Sequence, residues 1–236
     1  FLPMLYNLLA ECRRQGLDPR LAFSGVHDII IVGAPVTPRS RERLQEQLGV
    51  ADVFLGAGSS EGLLAMECAA HDGYHLFPDA CYIEVVHPTT GKLLPAGQRG
   101  RVLLTSLNPH GSVYLRYDSE DLGAVLPQRC SCGRTWPLIV VYDRLANAFV
   151  VAGKELVPYD VRLCLDEVPQ LTGAPCSIIR SQENMSHLRL VIQEPAGASP
   201  EALGEQVRAV IAQKLQMPAT VEWVEELPAR WKGTGV

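Results

Sequence analysis

The chain has 236 residues, 47% of them hydrophobic, with a formal net charge of −5 and a pI near 5.7. That length can bury one large core or two smaller ones, and the acidic balance excludes the basic footprint of a nucleic-acid-binding surface. No apolar run reaches membrane-spanning length, and seven cysteines at this low density indicate free or metal-bound thiols in a reducing, cytoplasmic setting.

The opening carries no basic leader or cleavage site, so it does not read as a signal peptide. It also lacks a Met at position 1 and begins inside a helical pattern, which reads as the interior of a longer chain. Leu5, Leu8, Leu9 and Cys12 keep helical spacing until Gly16 and Pro19 break it. Asp28–Val32 reads as a buried strand that ends in a Gly33-Ala34-Pro35 turn. A helix through Leu48 follows, with Thr37 as its cap and Pro38 in its first turn. Asp52–Gly56 reads as a second strand running into an Ala57–Gly62 turn, and this alternation predicts an α/β layer with parallel strands.

From Cys81 the pattern becomes β-rich. Cys81–Val86 and Arg101–Leu107 read as a strand pair around the Thr90-Gly91 turn, and Leu115–Tyr117 and Ile139–Tyr142 read as extended. Beyond Arg144 the order is a strand at Phe149–Val151, a helix at Tyr159–Val168, strands at Cys176–Arg180 and Leu188–Gln193, a helix at Pro200–Leu215 and a strand at Thr220–Val224. That is a small α+β domain, with a boundary near Leu145–Asn147.

The segment Ala57-Gly58-Ser59-Ser60-Glu61 has the chemistry of a nucleotide site. Glycine admits a close backbone approach, hydroxyls bond phosphate oxygens, and a carboxylate can hold Mg²⁺. A Gly-Ser turn capping a following helix fits these residues equally well. What favours the nucleotide is the order of the other signals: Gly33-Ala34-Pro35 upstream, then Leu115–Leu122 (LRYDSEDL), Asp143-Arg144 and Gly153-Lys154-Glu155-Leu156-Val157-Pro158 downstream. In that order the set resembles the adenylate-forming superfamily of acyl-CoA synthetases. Glu67-Cys68, Asp72-Gly73-Tyr74-His75, the Thr90-Gly91 turn leading to Pro95 and Gly100, and Cys130-Ser131-Cys132-Gly133-Arg134-Thr135 make it most similar to the phenylacetate–CoA ligases.

The resemblance implies an α/β fold. Residues 1–145 would be the carboxy-terminal part of a large AMP-binding domain, a mixed sheet plus a β subdomain. Residues 146–236 would be a small, mobile α+β domain. It implies ATP-dependent activation of a carboxylic acid, with an aryl acid as the family-level expectation, to an acyl-adenylate and then a CoA thioester. By position, Gly33 and Ala34 would line the adenine pocket, Gly58 the acyl pocket, and Ser59 and Ser60 would face the AMP phosphate. Glu61 would hold Mg²⁺, Asp121 the ribose hydroxyls as an acceptor-only group, Arg144 the ribose and phosphate, and Gly153 the pantetheine path of CoA. Lys232, beyond the last strand, would be the mobile cation that stabilises charge on the attacked phosphate. Lys154 belongs to a different motif, and Lys214 reads as a surface residue.

Three features depart from this pattern. Asp118-Ser119-Glu120 stands where Arg-Thr-Gly is usual, and Ala146 occupies the hinge position. The Gly/Ser/Thr-rich loop that cradles the outer phosphates of ATP does not occur in these residues, so the chain alone is expected not to adenylate. An apolar face around Phe1–Leu9 is expected to be exposed and to favour association, a homodimer being one form of it. Two other classes stay open: an idle nucleotide-binding relative, and an enzyme that acylates a carrier protein.

Cys130 and Cys132 in one turn, with Cys68 and His75, could complete a closed tetrahedral Zn²⁺ site of the structural kind. Some phenylacetate–CoA ligase relatives carry Cys and His at matching places. His71 competes for the fourth position, and reduced, packed thiols are the alternative. Cys12, Cys81, Cys164 and Cys176 read as small core residues.

Overall fold

The structure is a computed structural model that describes residues 2–59, 62–108, 112–180, 185–195, 197 and 199–227. The chain divides into two compact units. The first comprises Phe23–Pro35 and Val50–Ala146. The second comprises Leu2–Ala22, Val36–Gly49 and the residues from Asn147 onward.

The first unit is built on one eight-stranded sheet. Its strands are β1 (Asp28–Val32), β2 (Asp52–Ser59), β3 (Gly62–Met66), β4 (Tyr74–Leu76), β5 (Cys81–Val86), β6 (Gly100–Ser106), β7 (Tyr117–Val125) and β8 (Leu138–Arg144), in the order β1-β2-β3-β4-β8-β7-β6-β5. The sheet is mixed, as expected: β1 and β2 are parallel, and the remaining neighbours are antiparallel. Inward residues of β5 and β6 alternate with outward ones, burying Ile83, Val85, Val102 and Leu104, as the two-residue period of a strand requires.

Two local expectations need correction. Only Ile31 of β1 is buried, and Ile30 is 54% exposed, because β1 stands at the end of the strand order. Residues 57–59 are not a turn. They extend β2 and pair with β3, with a register shift between Ala57 and Gly58. The segment after the acidic residue is therefore a strand rather than a capped helix.

The second unit contains α1 (Leu2–Arg14), α2 (Pro19–Ala22) and α3 (Pro38–Leu48). From its later residues come the β9 (Phe149–Val151) and β10 (Lys154–Leu156) hairpin, α4 (Pro158–Leu165), and a three-stranded sheet of β11 (Cys176–Ile178), β12 (Leu188–Gln193) and β13 (Ala219–Val224), with α5 (Pro200–Leu215) between the last two. Leu188, Leu190 and Ile192 of β12 point into a core with Val161, Leu165, Leu203, Val207 and Ile211. The helix α3 starts where the sequence indicates: the Thr37 side chain accepts the Ser40 amide, and Gly49 closes the other end with φ 69°. On α1, Leu9 and Cys12 are buried whereas Met4 and Leu8 are 67% and 46% exposed. The buried stripe is thus narrower than the leucine spacing suggests.

Polar contacts join α4 and α3 within this unit. Asp166, just past α4, is 2% exposed and accepts hydrogen bonds from the hydroxyls of Thr37 and Ser40. Arg43 of α3 donates to the Thr172 carbonyl. Burial pushes the Tyr6 phenol up, and the Asp166 carboxylate adds to it, while Arg162 and Arg43 oppose the shift.

Candidate nucleotide site and metal centre

Parallel pairing sets Val32 beside Gly56, so Gly33 leaves the ladder next to the point where β2 runs on through Ala57, Gly58 and Ser59. The carboxyl ends of parallel strands are where open α/β sheets leave a crevice for ligands. Gly33 takes φ 80° there, the left-handed conformation that favours glycine. Gly33, Ala34 and Gly58 thus share one end of the β1–β2 pair. Ser60, Glu61 and Lys232 lie outside the described residues.

Asp121 and Arg144 face each other across β7 and β8 in register. The Arg144 guanidinium donates through one nitrogen to Asp121 Oδ1 at 3.1 Å and through another to Glu120 Oε2 at 3.1 Å. Burial raises the Asp121 carboxyl above its ordinary value, and Arg144 works against that rise. The residues that depart from the family pattern build this corner. Asp118 pairs with Arg101 at 3.1 Å and accepts the Glu120 amide, while Ser119 donates to the Val102 carbonyl and accepts the Asp121 amide. Strands β3 and β4 stand between β2 and β8 in the sheet.

In the second unit, Gly153 and Ala152 both have positive φ, 77° and 50°, and form the two-residue loop between Val151 and Lys154. This geometry is that of a type I′ hairpin turn, which the right-handed strand twist favours. Lys154 donates to the Leu215 carbonyl and to the Gln216 side chain, both at 3.0 Å, so it closes the carboxyl end of α5. Lys214 pairs with Glu167 at 2.6 Å. Ala146 sits in a 3-10 turn, Leu145–Asn147.

The structure gathers Cys68, His75, Cys130 and Cys132, one ligand atom from each, within 4.8 Å of one another. Cys68 Sγ and Cys130 Sγ are 3.6 Å apart, and Cys132 Sγ and His75 Nε2 are 3.5 Å apart. Tetrahedral zinc with ordinary bond lengths would set these separations at ~3.8 Å and ~3.6 Å, so the cage has the right size. The donor set of three thiols and one imidazole also fits. The thiols are electrostatically unequal. The Arg134 amide favours the Cys132 thiolate and lowers it. Cys130 receives similar help from the Cys132 amide, yet burial and its thiol neighbours push it up to about 12. Three close thiols cannot all ionise without a cation to balance them. Burial, then Arg134, hold His75 down, which leaves the neutral imidazole a metal needs.

His71 does not join this set. Its Nε2 lies 3.1 Å from Asp52 and its Nδ1 3.3 Å from Glu67, whose carboxylate also accepts the Leu55 amide. Sequence spacing could not separate His71 from His75. The left-handed backbone at His71, φ 52°, turns its ring the other way. Sequence reading also missed the bond from Glu120 to Arg144, although the unusual Asp118-Ser119-Glu120 was its signal. Cys12, Cys81, Cys164 and Cys176 are buried.

No protein-family model matches the chain. A phenylacetate-coenzyme A ligase of Pseudomonas putida is 34% identical over 179 residues, which cover 71% of this chain and 38% of that protein. The ligases of the same name from Thermus thermophilus and Aromatoleum evansii are each 27% identical, over 80% and 90% of this chain and 43% and 48% of their own. The chain therefore spans less than half the length of these curated relatives. Among solved structures, 2-hydroxyisobutyryl-CoA ligase in the postadenylation state aligns with a TM-score of 0.81 at 23% identity, covering 94% of this chain and 49% of that one. An anthranilate CoA ligase bound to anthranoyl-AMP aligns at 0.63 with 18% identity, over 99% and 51%. The fold is that of the adenylate-forming CoA ligases. Within that class the chain is a phenylacetate–CoA ligase-like member.

Proposed function

We propose that this chain is part of an AMP-forming ligase that activates a carboxylic acid with ATP and passes the acyl group to CoA, with an aryl acid as substrate. The carrying observation is the Asp121–Arg144 pair, held in register across β7 and β8 in a sheet of the CoA-ligase fold. Asp121 offers an acceptor to a ribose diol, and Arg144 a fixed cation beside it. Gly33 and Ala34 would border adenine, Gly58 the acyl group, and Ser59 and Ser60 the phosphate. Glu61 would hold Mg²⁺, Lys232 would stabilise charge at the attacked phosphorus, and Gly153 would border the pantetheine arm.

Chemistry here is positioning and charge stabilisation rather than nucleophilic catalysis by the protein. Residues 1–145 would serve the large domain and 146–236 a small domain that moves between half-reactions. The outer-phosphate loop is absent from these residues, so the activity is assigned to a chain that contains one. Zinc bound by Cys68, His75, Cys130 and Cys132 would tie two loops together and take no part in the reaction. Among the described residues no helix is long and apolar enough to cross a membrane. The exposed Met4 and Leu8 of α1 suit a homodimer or a covering segment.

A second reading, nucleotide binding without turnover, is favoured by one observation: Arg144 is shared between two carboxylates. ATP–pyrophosphate exchange in the full protein, against aryl and short aliphatic acids, separates the two. Exchange with one acid class, lost in Lys232→Ala and Glu61→Ala, supports the ligase. A folded, ATP-binding protein with no exchange supports the second reading.

A further inference from the structure

Adjacent residues of a strand point to opposite faces of the sheet, yet Glu120 and Asp121 of β7 bind the same guanidinium. The reason is local. Glu120 adopts φ 58°, a left-handed conformation that residues with a Cβ seldom take. Asp118 Oδ1 accepts the Glu120 amide at 2.9 Å, and Ser119 Oγ accepts the Asp121 amide at 3.3 Å. The Asp118–Arg101 ion pair and the Ser119 bond to Val102 anchor those two residues to β6. Four contacts thus hold an unfavourable backbone conformation whose product is a second carboxylate on Arg144.

The two carboxylates are not equivalent. The Asp121 side chain is 27% exposed and that of Glu120 69% exposed. A guanidinium is a rigid fork, and fixing one tine fixes the other. We propose that Glu120 is a positioning residue: it holds the outer tine of Arg144 so that the inner tine stays on Asp121, keeping that carboxylate ionised and aimed for a nucleoside diol. This rests on the nucleotide reading of Asp121 given above. A carboxylate has about four acceptor positions, so one bond from Arg144 leaves it able to accept ribose hydroxyls. The charged groups around Asp121 are Glu120 on β7, Arg144 and Asp143 on β8, and Arg101 on β6, the last engaged by Asp118.

The role separates from a plain charge effect by its sign. Removing the Glu120 charge while Arg144 stays in place would make Asp121 easier to ionise. Releasing Arg144 from Asp121 would make it harder. The experiment is calorimetric titration of the full protein with adenosine and with 2′,3′-dideoxyadenosine, across pH, for the parent, Glu120→Gln and Glu120→Asp. In Glu120→Gln, adenosine binding is expected to weaken roughly 2- to 5-fold, the range an exposed ion pair supports. The pH midpoint at which affinity is lost on acidification should move upward. Dideoxyadenosine binding should not change, and Glu120→Asp should restore part of the loss. An unchanged adenosine affinity, or a midpoint that moves downward, overturns the positioning role while leaving the ribose reading intact. A parent protein that binds both nucleosides equally, or neither, overturns the ribose reading and this proposal with it.

Discussion

Replacing Cys130 by Ser tests the candidate metal centre most directly, because it removes one of the four candidate ligands and leaves the turn's shape nearly unchanged. Cys68 and Cys130 are 62 positions apart in sequence yet 3.6 Å apart at sulfur. A metal that joins them closes a loop of that length in the unfolded chain. Closing a loop of this size by a cross-link stabilises the folded state by about 4 kcal/mol in the chain-entropy treatment, within a usual range of about 2–4 kcal/mol. Cys130→Ser is therefore expected to lose stoichiometric zinc and about 2–4 kcal/mol of unfolding free energy. Metal content would be read by mass spectrometry and stability by guanidinium unfolding, with and without a chelator. The chelator should destabilise the parent and leave the variant unchanged. His71→Ala should keep its zinc, because Asp52 and Glu67 hold that ring. A parent that binds no zinc when grown with it, or a Cys130→Ser protein that retains a full equivalent, would refute the cage.

Asp166→Ala should cost about 1–3 kcal/mol in urea unfolding, since the buried hydroxyls of Thr37 and Ser40 lose their acceptor. Asp166→Asn, which keeps an acceptor oxygen, should cost less, and equal costs would contradict the hydrogen-bond account. For Asp121 the sign follows from its raised carboxyl. A group whose folded pKa lies above its unfolded value contributes stability at low pH that is lost as pH rises through the folded value. Asp121→Asn should therefore melt above the parent at neutral pH, with the difference fading below the ordinary carboxylate range, and it should bind adenosine less well. A variant that melts lower at neutral pH would show that the Arg144 pair outweighs burial.

Much of this protein is determined by local chemistry that a sequence displays. Thr37 and Pro38 mark the start of α3, and the strand at Leu188–Gln193 and the helix at Pro200–Leu215 that the sequence predicts form at those residues. These signals concern hydrogen bonds and faces within a few residues, so no distant partner can alter them much. The same holds for the Cys130-Ser131-Cys132 turn as a two-thiol unit.

Other features depend on contacts between residues far apart in the chain, and only the tertiary structure decided them. Ala57–Ser59 became strand rather than turn because β3 offered an antiparallel partner. Leu8 stayed exposed while Leu9 was buried, since the direction from which neighbours pack is not written in α1. His75, not His71, reached the thiols because a left-handed residue turned one ring toward Asp52 and Glu67. Glu120 and Asp121 met on one guanidinium only because Arg144, 24 and 23 positions away, lies on the next strand. In each case the deciding energy comes from packing or charge pairing across long sequence separations, which local propensity cannot encode.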